Sequence, residues 1–312
     1  AFLPQLAWHN ALWGFQSQVY FALLFSLGAL ALLGRPEPSR GQQVGGLIAG
    51  GAALLAMGAG AFVPVALLGL LALRAGERGR IDAAWWRAAW PAPVLLAGAL
   101  ALRVDVPEHA GLHATTAPEF FNAAGRALAW PHSGQPLAAL VSNLPLAFVG
   151  AARLARRRRA VAGEDFVLLL GGWAAIGAVA AAWARGGGGE FAAGVPSRYA
   201  DFLVLLPLAN AWCAIALARE AAGRWRGRAR PLAVAWGVFL LVGWIGLSAE
   251  VMRGVILPRA RDREAPVRLT RAFQTTGDAA VFAGQPRLLL PHPNPESVRA
   301  VLADPRMRGA LP

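Results

Sequence analysis

The stretch VGGLIAGGAALLAMGAGAFVPVALLGLLAL, Val44 to Leu73, runs for thirty residues without a charge. As one straight helix it would reach about 45 Å, against a hydrocarbon core of ~30 Å. Gly58, Gly60 and Pro64 supply a place to break it. It therefore reads as two apolar helices joined by a tight turn. That decision sets the helix count and the side on which every other loop falls.

The rest of the chain is of the same kind. Of its 312 residues 56% are hydrophobic and only 15% charged, against roughly 25% charged in soluble domains. The expected fold is an all-α, polytopic helical membrane protein. It would have about eight transmembrane helices, an outer-face amphipathic helix and a small polar C-terminal tail. The helices are expected near Ser17–Gly34, Gln43–Gly58, Gly60–Leu73, Ala92–Leu102, Pro136–Ala152, Asp165–Ala184, Ala200–Ala218 and Pro231–Glu250. Ala92–Leu102 is short, so it either recruits the preceding AAWWRAAWP or is re-entrant.

The formal net charge is +13, and all thirty basic residues are arginine. An arginine-only set fits a GC-rich gene. It also fits phosphate recognition, because a guanidinium matches phosphate oxygens bidentately. In a membrane protein a high pI mostly reflects basic cytoplasmic loops, so nucleic acid is not an expected partner. The lone Cys213 excludes a disulfide within the chain. The start, AFLPQLAW, has no methionine and no basic n-region, and reads as part of a longer chain rather than as a signal peptide.

Four arginine-rich loops set the orientation: Gly34–Arg40, Arg74–Arg87, Arg153–Ala160 and Arg219–Arg230. With the break in Val44–Leu73 all four fall on one side, the cytoplasmic one by the positive-inside rule. The outer side then carries Ala1–Gln16, Arg103–Gln135, Arg185–Tyr199 and the tail from Arg253. The expected division is a membrane domain, 1–252, and an extracytoplasmic tail, 253–312.

The outer loops hold the candidate chemistry. Near the start, Trp8, Trp13 and Tyr20 suit an interfacial belt, and His9, Asn10, Gln16 and Gln18 could line a cavity or simply be solvated. In Arg103–Gln135, Thr116 can cap a short helix, with Pro118 in its first turn and Pro131 beyond its end. Phe121, Ala124 and Leu128 would form its apolar face. Glu119, Asn122 and Arg126 would form a polar stripe. Asp105, Glu108 and Glu119 are the candidate catalytic carboxylates. His109 and His113 are four apart, but Pro107 and Gly111 speak against a rigid metal helix, so no metal site is expected. No cofactor is identified, and a divalent metal has no support in these residues.

PSRYAD, Pro196–Asp201, is more specific. Gly186–Gly189 frees the loop before it, and Arg198 and Asp201 stand on the first turn of an apolar helix. Charges at that depth are paired, snorkelling or functional. Arg198 reads either as an anchor paired with Asp201 or as a ligand for a lipid phosphate, aided by helix-terminal amides and oriented by Asp201. In the tail, Asp278 is expected to cap a turn, and Glu296–Ala303 to form a short helix.

HNALWGFQSQVYF, MGAGAFVPVALL, PSRYADFLVLLPLAN and the tail FQTTGDAAVF…PHPNPESVRAVLADPRMRGALP resemble a group of bacterial polytopic membrane proteins. These are in turn similar to integral-membrane glycosyltransferases of the GT-C type. The resemblance implies a helical enzyme of the bacterial inner membrane that takes a sugar from a polyprenyl-phosphate donor on the periplasmic face. Its partners would be membrane lipid and a polyprenyl-linked sugar. It implies an acidic residue in a first outer loop, which would precede Ala1. It makes Arg198 and Tyr199 the candidates for touching the lipid phosphate, with Asp201, Arg126 and His109 beside them. Two alternatives stand: a polysaccharide polymerase or ligase of the O-antigen type working through His109 or Arg126, and a non-catalytic transporter or membrane component.

Overall fold

The computed structural model describes residues 17–104, 106–155, 160–187, 191, 195–221, 223, 226–285, 290, 299–301 and 304. The candidates Trp8, His9, Asn10, Trp13, Gln16 and Asp105, and most of the expected helix Glu296–Ala303, lie outside these residues. Among the described residues every regular element is helical.

Each expected apolar segment is helical, two of them as a pair of successive helices. In order these are α1 (Ser17–Leu33), α2 (Arg40–Ala56), α3 (Phe62–Arg78), the short α4 (Ala83–Ala89), α5 (Pro91–Ala101), the loop helix α6 (Ala117–Leu128), α7 (Ala138–Ser142), α8 (Leu144–Leu154), α9 (Glu164–Arg185), α10 (Ala200–Leu203), α11 (Leu205–Glu220) and α12 (Arg226–Val251). Eight spans are not confirmed. Among the described residues four helical stretches are long and apolar enough to cross a membrane: Gly58–Arg78, Glu164–Arg185, Ser197–Glu220 and Gly227–Arg261. The reason is length. At 1.5 Å per residue the seventeen residues of α1 or α2 reach about 25 Å, and the eleven of α5 only about 16 Å.

The break in Val44–Leu73 is real. Helix α2 opens with a capping box, in which Ser39 accepts from the Gln42 amide and the Gln42 side chain accepts from the Ser39 amide. It ends at Met57, whose backbone is extended, and a 3-10 turn, Gly58–Ala61, leads into α3. Of the residues suspected from sequence, Gly60 is the one the turn requires. A Cβ there would sit 2.3 Å from the Ala53 carbonyl. Trp173 of α9 donates its indole N–H to the Ala59 carbonyl (3.3 Å) and holds the turn against its neighbour.

The expected helix Pro136–Ala152 is broken at Asn143, between α7 and α8. Pro145 sits in the first turn of α8, where the Leu146 amide has no partner within its own helix. Asn210 of α11, fully buried, supplies one: its Oδ1 accepts from that amide at 2.9 Å. Its Nδ2 donates to the Asn143 Oδ1 (3.2 Å) and the Leu206 carbonyl (3.0 Å). Asn143 in turn donates to the carbonyls of Leu128 and Ala139. The joint is closed by protein groups, which is the condition for irregular backbone in an apolar surrounding. Around it Val149, Val167, Ala209 and Cys213 pack as one core cluster.

The chain divides into two compact units, Ala1–Ile245 and Gly246–Pro312. The sequence placed this boundary at Arg253. The second unit has its own small core of Phe273, Phe282 and Leu290, built on the helix α13 (Ala265–Thr276) and the turn that follows. Asp278 caps that turn by accepting from the Ala280 amide at 2.8 Å. On the other side of α13 an exposed Arg268 pairs in bidentate fashion with Asp262, both bonds 2.8 Å.

Candidate functional site

At one end of the first unit the helix termini converge on charges that lie far apart along the chain. Arg74 of α3 donates to Asp165 Oδ2 at the start of α9 (2.5 Å) and to the carbonyls of Gly34 and Arg35 at the end of α1. Arg153, at the end of α8, donates to both oxygens of Glu77 (2.5 and 2.9 Å) and to Asp165 Oδ1 (2.6 Å). Glu164, fully buried, lies 3.4 Å from the Arg153 Nη1. Burying these ions costs several kcal/mol each unless geometry and hydrogen bonding compensate. Two bidentate or forked arginines and donation to helix-terminal carbonyls provide that compensation. The network brings Gly34–Arg35, Arg74–Glu77 and Arg153–Asp165 to one end. Three of the four basic loops therefore start from this one end of the unit. This is a structural clamp. Glu164 and Asp165 stand in the first turn of α9, where the sequence shows an acidic pair but not its partners.

The opposite end carries the sequence candidates. Two backbone bonds strap loop 103–135 to the end of α9: Ala114 N–H to the Trp183 carbonyl (2.9 Å) and Gly187 N–H to the Leu112 carbonyl (3.1 Å). A Cβ on Gly187 would lie 1.9 Å from the His113 carbonyl, and one on Gly186 would lie 3.2 Å from Cβ of Ala123. These two glycines thus serve close approach rather than the free bending expected of them. His113 stacks on Trp183 with centroids 4.6 Å apart. His109 meets the Arg185 Nη2 at 3.3 Å from Nε2. The two histidines serve different partners. Among the described residues no group of three or more His, Cys, Asp or Glu could hold a metal.

Helix α6 forms where expected, with Thr116 as its cap and Pro118 in its first turn. Its buried face differs from the expected one. Ala123, Ala124 and Ala127 are buried, and the helix packs on α9, while Phe121 is 69% exposed. Alanines allow the close approach that Gly186 also requires, and a phenylalanine on that face would hold the helices apart. Glu119 closes a capping box: its carboxylate accepts from the amides of Thr115 (2.9 Å) and Thr116 (3.2 Å) and from the Thr115 hydroxyl. The Thr115 amide is the largest of the effects that hold its pKa below the ordinary carboxyl value. A carboxylate so committed is a weak base, and Thr-x-x-Glu already carried this reading in the sequence. Glu108 falls on the 3-10 turn Pro107–Leu112.

Arg126 is held by two acceptors, Asn122 Oδ1 (3.1 Å) and the Ser133 carbonyl (3.3 Å). Next to Ser133, His132 donates through Nε2 to the Phe239 carbonyl of α12 (2.8 Å) and stacks on the Phe239 ring. Trp130 meets Trp244 edge to face, and the Trp236 indole donates to the Val141 carbonyl. These contacts seat α12 against residues 130–141.

Arg198 and Tyr199 lie on a 3-10 turn, Ser197–Tyr199, at the head of the Ser197–Glu220 helix. The guanidinium carbon is 5.1 Å from the Tyr199 ring centroid, within cation–π reach, and the ring of the buried Phe191 is tilted against that of Tyr199 with centroids 6.0 Å apart. Asp201, in α10, is buried, and the Tyr20 hydroxyl of α1 hydrogen-bonds its carboxylate. Tyr20 is a partner that sequence spacing could not supply. Comparison with known protein families, with curated proteins and with solved structures finds no match.

Proposed function

We propose that the end of the protein opposite the ion-pair clamp binds the phosphate of a membrane-embedded lipid, of the polyprenyl-phosphate-linked sugar kind, on the periplasmic face of a bacterial inner membrane. The observation that carries the reading is Arg198. It is stacked on Tyr199 at the mouth of an apolar helix, three residues before a buried Asp201 braced by Tyr20. A guanidinium fixed at the depth of headgroups is suited to two phosphate oxygens. Orientation follows from the arginine-rich loops at the clamp end. The reaction class follows from the resemblance of the short motifs to GT-C-type enzymes. It is displacement at the anomeric carbon, in which Arg198 stabilises the departing phosphate.

One observation favours the second reading, a polymerase or ligase of the O-antigen type. The capping box absorbs Glu119, whereas His109 and Arg185 stand together at the same end. A transfer assay with protein from the full-length gene and defined polyprenyl-linked sugars tests both. Arg198→Ala is expected to abolish transfer, and undiminished transfer would remove the proposal. Loss of transfer in His109→Ala would select the second reading.

A further inference from the structure

Ser133 presents an anomaly. The residue is 6% exposed, and its hydroxyl has no hydrogen-bond partner among the described residues. Buried hydroxyls are almost always partnered, so a lone one marks a place where something else belongs. Its own carbonyl is the acceptor that holds Arg126 Nη1. A guanidinium has five N–H donors. Those of Arg126 are committed to two acceptors, Asn122 Oδ1 and the Ser133 carbonyl, which leaves three. The next residue, Gly134, is exposed, and a Cβ there would meet nothing within 4 Å, so the turn is open beside Ser133. The surrounding turn is rigid. Gly125 is packed so closely on Pro136 that a Cβ would come within 2.8 Å, and His132 is pinned to Phe239.

We infer that the Ser133 hydroxyl and the remaining Arg126 N–H groups form a subsite for a phosphate oxygen. The chemistry is one neutral donor, and one charged donor held by the same residue's carbonyl, offered to an acceptor that the described residues do not themselves provide. The inference rests on reading this end as a lipid-phosphate site, and it adds Ser133, a residue that no sequence motif marks.

The test is titration of the full chain in detergent micelles with geranylgeranyl phosphate, geranylgeraniol and inorganic phosphate. Wild type, Ser133→Ala, Arg126→Gln and Arg198→Ala are compared. Ser133→Ala is expected to weaken geranylgeranyl phosphate about 10-fold, the size of one hydrogen bond, and to leave the alcohol unchanged. Arg126→Gln is expected to weaken it further. Without ligand, Ser133→Ala melts no lower than wild type, because the hydroxyl it removes has no partner; this separates a binding role from a structural one. The same Ser133 dependence for inorganic phosphate would identify a free anion as the source, and its confinement to the prenyl phosphate a lipid. Unchanged affinity in Ser133→Ala and Arg126→Gln, with loss in Arg198→Ala, would overturn the subsite and leave the function proposed above. Loss in the first two alone would keep the subsite and remove the role of Arg198. No phosphate-dependent binding by wild type would overturn both.

Discussion

Asp165 joins two arginines from different helices: its Oδ2 accepts from Arg74 at 2.5 Å and its Oδ1 from Arg153 at 2.6 Å. Arg153 is almost wholly buried, at 1% exposure. Removing one member of such a group leaves a buried charge without its counterion, a loss of about 3–5 kcal/mol. Asp165→Asn is therefore expected to lower the thermal midpoint in detergent sharply. Arg80→Gln, at an exposed residue on the following loop, is expected to leave it within the error. Equal midpoints for Asp165→Asn and wild type would show that the clamp contributes no stability.

Two glycines make a sharper steric test. A Cβ at Gly60 meets the Ala53 backbone at 2.3 Å, and one at Gly187 meets the His113 carbonyl at 1.9 Å. Backbone atoms cannot swing away as a flexible side chain can, so Gly60→Ala and Gly187→Ala should each cost about 1–3 kcal/mol. Gly51 lies inside α2 with open space around it. Gly51→Ala should be neutral or stabilising by up to about 1 kcal/mol. Thermal unfolding of the three variants side by side would show whether the hairpin and the strap between loop 103–135 and α9 are packed as described.

The Glu119 capping box should respond to pH. Hydrogen bonds from Thr115 and Thr116 favour the charged carboxylate and lower its folded-state pKa. The contribution is complete above the unfolded carboxyl value of about 4.5 and disappears as the pH falls through the lower folded value. Protection factors of the amides in Ala117–Leu128, taken relative to intrinsic exchange at each pH, should fall on acidification in that window, and Glu119→Gln should flatten the response. An unchanged pH profile in Glu119→Gln would show that the carboxylate does not stabilise this helix.

Sidedness is open to chemical labelling. The single Cys213 is buried, so Cys213→Ser gives a background free of thiols. With single cysteines added, Gly134→Cys should react with a membrane-impermeant maleimide in intact spheroplasts, and Arg80→Cys only after permeabilisation. The reverse pattern would invert the orientation and move the candidate site to the cytoplasm.

What the sequence makes legible here is local. The split after Met57, the Thr116 cap and the helical nature of every apolar segment follow from residues within a few positions of one another. Span length is less legible, because hydrophobicity continues across Asn143 while the helix does not. The clamp was hidden for a physical reason. Arg74 and Asp165 are 91 residues apart, and arginines near helix ends already had an explanation as topology signals. The same holds for the Asn143–Asn210 joint and for Tyr20 with Asp201, whose partners are set only by packing. Glu119 shows the converse: one residue suited both a catalytic acid and a cap, and spacing alone could not choose between them.

The central claim is that Arg198 binds a lipid phosphate. The most direct measurement is the affinity of the full chain, in nanodiscs of a zwitterionic lipid, for an undecaprenyl phosphate added in trace, with Arg198→Ala beside wild type. Saturable binding by wild type and a loss of at least ten-fold in the variant is the result this account expects. Equal affinity in the two proteins would contradict it.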